Sequence, residues 1–283
     1  MDKNIQVKEN DTLEIIIEAK RTEKNYWRDI FHYYQLFFFL AWKEFLIRYK
    51  QTVMGVSWSV VRPILTMIVF TFIFGNIAKL PSSGVPYPIL VYCGLLPWQF
   101  FAEALSQSSN SLVGNSNLIS KVYFPRVIIP ASSIMVTMID FAISFAILIV
   151  LMIIFGFVPS INILFLPVLL LQTIYTSYSI GIFLAALNVR YRDIRYIVPF
   201  IVQFGLYISP VGFSAKLIPE KWALLYACNP MVGIIDGFRW ALIGGEYKLN
   251  IKHILISIVI STIILLVAIK YFRKTEKTFA DII

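Results

Sequence analysis

Charge is what this chain has least of. Only 14% of its residues are Asp, Glu, Lys or Arg, against about 25% in soluble domains. Residues 161–187 carry no charged side chain at all, and 127–155 carry Asp140 alone. A water-facing surface needs more charge than that, whereas a bilayer core of ~30 Å is crossed by about 20 apolar helical residues. Two cysteines, Cys93 and Cys228, make no disulfide framework, and with only His32 and His253 they match no metal spacing. No G-x-x-x-x-G-K-[ST] phosphate loop occurs, and the nearest Gly-rich candidate, Gly114 to Lys121, has the wrong spacing. H-E-x-x-H and G-x-S-x-G are missing too, which argues against catalysis within this chain. Residues 1–30 are polar, mixed in charge and without a cleavable apolar segment, so no signal peptide is expected.

What is present, from Ser57 onward, is a succession of long apolar stretches. They predict an all-α polytopic membrane protein with six transmembrane helices, at 57–77, 86–106, 127–155, 161–187, 196–213 and 253–271. The stretch 217–245 is apolar in places but carries Glu220, Lys221, Asp236 and Arg239, and Asn229-Pro230 breaks it. Proline removes a helical donor and disfavours helix in the residue before it. Irregular backbone at membrane depth survives only under cover. The prediction is therefore a re-entrant pair of short helices on the outer side, not a seventh span.

Six spans place both termini on one side. Near the span ends that side holds twelve Lys and Arg residues, Lys121, Arg126, Arg190 and Arg273 among them, against six opposite. The positive-inside rule then makes the termini cytoplasmic. The formal charge of +9 is dispersed at span ends, not gathered on one face, which argues against a nucleic-acid partner.

Residues 1–33 read as a cytoplasmic N-terminal segment and 34–56 as an amphipathic interface helix. Phe38, Trp42, Phe45 and Tyr49 share one helical face, with Lys43, Glu44, Arg48 and Lys50 around the rest. Within the spans, ionisable groups are few, which weighs against an ion-coupled carrier. Arg62 and Glu103 fall at similar depth, and two readings stay open: an ion pair, or separate snorkelling to the inner headgroups. Asp140, ~20 Å into its span, reads as a protonated acid hydrogen-bonded to neighbouring helices in preference to a role in substrate passage.

Several runs carry a resemblance. They are Arg48-Tyr49-Lys50-Gln51-Thr52-Val53-Met54-Gly55 with Trp58 and Pro63, Gly94-Leu95-Leu96-Pro97-Trp98, and Gly114-Asn115-Ser116-Asn117-Leu118-Ile119. Lys121-Val122-Tyr123-Phe124-Pro125-Arg126, Asn229-Pro230-Met231, Gly237-Phe238-Arg239-Trp240 and Thr275-Glu276-Lys277-Thr278-Phe279-Ala280-Asp281 follow in order. Over about 35–283 the chain resembles the permease subunit of bacterial ABC exporters for O-antigen, capsular polysaccharide and teichoic acid.

The resemblance implies a half-transporter in the inner membrane. It would work as two copies of this chain with two separate ABC ATPase subunits, moving a lipid-linked polysaccharide. ATP and Mg would sit on the partner, with no cofactor on this chain. It implies a channel between protomers lined by the first and fifth spans, with Trp58, Arg62, Phe70, Phe200, Phe204 and Tyr207 as candidates. It also places an ATPase-coupling segment at 114–126, where Asn115 or Ser116 is expected to cap a short helix that Pro125 ends. Asn117, Leu118, Ile119, Lys121, Val122, Tyr123 and Phe124 would meet the ATPase there. Asn229 and Pro230 are expected to gate the outer mouth, and 272–283 is a cytoplasmic tail. The competing readings are a type-2 ABC permease for a drug or another lipid, a membrane enzyme acting on lipids, and a simple pore.

Overall fold

The computed structural model describes residues 26–50, 55–82, 84–245 and 247–282. Most of the expected N-terminal segment, residues 1–25, lies outside the described residues, as does Gln51–Met54 of the motif run before the first span. The described residues form helices and turns without a strand. In chain order the helices are α1 (Tyr26–His32), α2 (Tyr34–Lys50), α3 (Gly55–Phe70), α4 (Tyr87–Gly114), α5 (Ser116–Lys121) and α6 (Ile128–Ile154). Then come α7 (Leu166–Arg190), α8 (Ile194–Ile208), α9 (Glu220–Ala227), α10 (Pro230–Leu242), α11 (Ile251–Glu276) and α12 (Phe279–Ile282). A π-helical stretch, Thr71–Ile77, prolongs α3, and a 3-10 turn, Ile161–Phe165, leads into α7.

Five stretches are long and apolar enough to cross a membrane: Ser57–Ile77, Tyr87–Gly114, Ile128–Ile154, Ile161–Arg190 and Ile251–Glu276. The expected fifth span, 196–213, is cut short. Helix α8 ends at Ile208, Ser209 is extended, and the backbone turns inward through Val211. Pro210 is the cause, because it disfavours helix in the residue before it. The 15 residues of α8 cover ~22 Å at 1.5 Å per residue, less than a ~30 Å core.

Helix α4 is the central pillar, packed on α6, α7, α10, α3 and α8. Small residues allow that approach: Ser108 lies against Gly181 of α7, where an added Cβ would sit 2.6 Å from the Ser108 hydroxyl. Close packing of small residues is what associates helices when lipid is as apolar as the side chains. A second core gathers at one end of the bundle. Tyr26, Leu40, Leu112, Ile119, Phe124, Val189, Phe272 and Phe279 are all buried in it, so the first and last described helices meet at the same end.

Candidate transport cleft and a neighbouring helical turn

Helices α3, α4, α6 and α8 enclose a cleft of about 640 Å³, lined among others by Trp58, Arg62, Gln99, Glu103, Asp140 and Gln203. Its floor is an ion cluster reached by α2. The Arg48 guanidinium lies 2.9 Å from Glu103 and 2.9 Å from Asp140. Asp140 also accepts from Tyr49 at 2.7 Å and from Ser59 at 2.6 Å. Glu103 accepts from Gln107 at 2.9 Å, and Arg62 Nη1 stands 4.0 Å from its other oxygen. Burial, and then the hydrogen bond to Asp140, pushes the Tyr49 phenol up to about 12, so it remains a donor at physiological pH.

Arg62 and Glu103 thus approach one another, but the tighter partner of Glu103 is Arg48. Asp140 has the hydrogen bonds to neighbouring helices that were expected of it, from Tyr49 and Ser59, and in addition lies 2.9 Å from the Arg48 guanidinium. Sequence reasoning passed over Arg48 by treating it as an interface charge. The signal was charge balance: two acids and one base within the spans leave one acid needing a cation, and low-dielectric surroundings make that need costly to ignore.

Five of the six channel-lining candidates lie on exposed faces. Trp58, Phe200, Phe204 and Tyr207 are all more than half exposed, and the Arg62 side chain is 75% exposed. The Phe200 and Phe204 rings stack at 5.8 Å with 7° between their planes. Phe70 is the exception. It is buried against Phe74, Tyr207 and Gly212, because twelve positions at 3.6 residues per turn carry it about 120° around α3 from Trp58. On α2, Trp42, Phe45 and Tyr49 form a ladder with centroids 5.2 and 5.0 Å apart. The outward end of that stripe, Phe38 and Trp42, is exposed.

The segment 114–126 has the expected short helix with different ends. Asn115 makes no side-chain cap. It accepts from Lys43 at 2.8 Å and donates to the Ser111 carbonyl, so its amide ties α4 to α2. The helix stops at Lys121 with Val122 extended, before Pro125 can act. Ile119 and Phe124 are buried anchors, whereas Asn117, Lys121, Val122 and Tyr123 are exposed and Leu118 is half-buried. The turn rests on the C-terminal segment: the Arg126 backbone N–H donates to Glu276 at 2.9 Å, its guanidinium donates to the Glu276 carbonyl, and it also covers the Phe279 ring.

At the other end, Asn229 caps α10 through the Met231 N–H and donates to Ser209 at 3.0 Å, while Ser257 of α11 donates to the Pro230 carbonyl. The expected break is real, and it is held on both sides. Arg239, counted from sequence as an outer-side charge, is wholly buried. It donates to the Val211 and Phe213 carbonyls at 2.7 Å each and to Leu90 at 3.4 Å. The Val211 and Phe213 carbonyls follow the C-terminus of α8, where partial negative charge accumulates and a cation is favoured, whereas Leu90 belongs to α4.

A family model described as ABC-2 type transporter matches residues 35–243, which run from α2 through α10. The chain belongs to the ABC-2 type transporter family. Among curated relatives, this ABC-2 chain is 28% identical over 242 residues to "O-antigen export system permease protein RfbA" of Klebsiella pneumoniae, covering 85% of this chain and 92% of that protein. It is 26% identical over 258 residues to the protein of the same name from Myxococcus xanthus, covering 90% and 97%. It is 21% identical over 204 residues to "Polysialic acid transport protein KpsM" of Escherichia coli, covering 72% and 79%. The cleft, the turn at 114–126 and helices α9 and α10 all fall inside the matched region; Glu276 and Phe279, which brace the turn, lie beyond it.

Proposed function

We propose that this ABC-2 permease is the membrane subunit of an ATP-driven exporter that moves a lipid-linked, O-antigen-like polysaccharide across the cytoplasmic membrane. The observation that carries this reading is likeness along nearly full length to proteins named for O-antigen export. Two copies of the chain would form the conduit, with the exposed aromatic faces of α3 and α8 turned to sugar rings. Two separate ATPase subunits would hold ATP and Mg and dock on Asn117, Lys121, Val122 and Tyr123. ATP binding draws the ATPases together, and the turn passes that movement to α4 and α6; such coupling requires contacts that differ between states.

The topology assigned is six crossings with cytoplasmic termini. Burial of Tyr26 and Phe279 in one core supports an even number of crossings. The short α8, completed by the buried turn after Ser209, supplies the sixth. Helices α9 and α10 then form the re-entrant pair at the outer face, α2 lies at the inner interface, and residues 272–283 are the cytoplasmic tail.

The test is co-purification with the ATPase, followed by ATPase assays with candidate substrates. Lipid-linked polysaccharide is expected to stimulate hydrolysis. Stimulation by teichoic acid precursors or drug-like amphiphiles alone would replace the polysaccharide reading. Replacing Val122 and Tyr123 with Asp should abolish export and stimulation while sparing the partner's basal hydrolysis, because both side chains are exposed and the fold does not need them. Normal export by that variant refutes the docking assignment.

A further inference from the structure

We propose that Glu276 is a positioning residue for transport: by joining the start of α6 to the end of α11, it makes α11 a rod that carries movement of the 114–126 turn to α10. The inference rests on the reading that an ATPase docks on that turn. The motif run Thr275 to Asp281 lies outside both the cleft and the docking residues, yet two of its members, Glu276 and Phe279, hold Arg126.

Helices α6 and α11 complete one another's ends. The first N–H groups of a helix and its last carbonyls have no partner within the helix. Helix α6 has no side-chain cap and no acid in its first turn. The Glu276 carboxylate supplies one from outside, accepting the Arg126 backbone N–H at 2.9 Å just ahead of α6. In return the Arg126 guanidinium donates to the Glu276 carbonyl at the end of α11. An anion at a helix start and a cation at a helix end are each favoured by the helix dipole. The Phe272 and Phe279 rings meet edge to face at 5.4 Å beside this joint, and Ile119 and Phe124 of the turn are buried in the same core. The joint is packed as well as hydrogen-bonded.

Helix α11 is tied at its other end too. Ser257 donates to the Pro230 carbonyl at 2.7 Å, and His253 lies 3.0 Å from Asp236, both partners being on α10. A Cβ added at Gly233 of α10 would overlap the His253 carbonyl, so the two backbones touch there. The 26 residues of α11 span ~39 Å at 1.5 Å per residue. No proline or glycine interrupts them, whereas α3, α4 and α8 each carry an internal proline, Pro63, Pro97 and Pro199. Sharp kinks arise at such residues or at bulges. Of these helices α11 is the one built to move as a single piece.

The test uses the full chain with its co-purified ATPase and follows hydrogen exchange without nucleotide and with ATP and vanadate. In the wild type, nucleotide is expected to change exchange both at 116–126 and at 228–236, since exchange reads local opening. Glu276→Ala should keep assembly, basal hydrolysis and the change at 116–126. It should lose the change at 228–236, and export should fall about tenfold, an ordinary magnitude for coupling between sites. Glu276→Gln, whose amide oxygen still accepts from the Arg126 N–H, should retain most of both responses, and this separates positioning from misfolding.

A full nucleotide response at 228–236 in Glu276→Ala overturns the proposal, as does a wild type that responds at the turn alone. Loss of ATPase assembly in both variants makes Glu276 a folding residue and overturns it too. A wild type with no response at the turn sinks the docking reading instead, and this inference falls with it.

Discussion

Helices α4 and α8 touch along one seam and live in opposite surroundings. Of the most apolar 18 residues of α4, 78% are buried, whereas Val198 is the one fully buried residue of α8. Apolarity does not explain the contrast. Among the five long stretches α4 is the least apolar and the most enclosed, while the far more apolar α11 is only 17% buried. In water the greasiest element goes inside. In lipid no such force acts between helices, so the interior goes to the helix that packs closely, and lipid-facing helices must be greasy. α4 has Gly94, Ala104, Ser108, Ser109 and Ser111 for that purpose, and α8 keeps its aromatics outside.

Three variants probe that contrast. The largest effect is expected from Arg239→Ala, which removes the cation tying α10 to the turn beyond α8. The Val211 and Phe213 carbonyls lose their donor, and at about 1–3 kcal/mol for each orphaned group the chain should lose roughly 4 kcal/mol. That corresponds to a Tm lower by about 10 °C in the detergent-solubilised chain. Arg239→Lys should recover part of it by reaching fewer acceptors, and an unchanged Tm in the alanine variant would mean that the turn holds itself.

A middle-sized effect is expected from Gly205→Val. A Cβ at Gly205 would sit 2.6 Å from Trp98 of α4, whose ring is buried. Overpacking of this kind costs about 1–3 kcal/mol, so α8 should be pushed off the pillar and export should fall with a moderate drop in Tm. Wild-type export together with wild-type Tm would show that the seam yields freely.

The smallest effect on stability is expected from Phe200→Ala with Phe204→Ala. Both rings are exposed, so Tm should stay within about 1 °C, while export by the complex should fall if these rings meet the glycan. Unimpaired export would make this face a lipid contact. Measured together, the three variants rank the pillar, the seam and the outer face of α8 by stability and by transport.

The helical class and the five long crossings were legible in the sequence because runs without charge have no other stable use. The break at Asn229-Pro230 was legible from asparagine and proline, and the short helix that ends at Lys121 was expected, although neither Asn115 nor Pro125 sets its ends. The end of α8 was missed at Ser209 although Pro210 marks it, because the apolar composition continues to Phe213. The expected cap at Asn115 failed because Lys43 and Ser111 compete for its amide, and a rule about adjacent residues says nothing of a helix 72 positions away. Phe124 was grouped with the docking residues on the family resemblance, yet it is buried; Tyr123 beside it is exposed.

By itself the sequence determined that this ABC-2 permease is made of long apolar helices, that Asn229-Pro230 breaks the stretch before the last of them, and which residues share a helical face, since each follows from local pattern. Only the tertiary structure decided which face meets protein and which meets lipid, because both surroundings are apolar and hydropathy does not separate them. It also decided that Arg48 serves Glu103 and Asp140, that Arg239 serves three carbonyls, and that Arg62 stands 4.0 Å from Glu103. Charges choose partners by distance in space, and in a low dielectric those distances govern the energy.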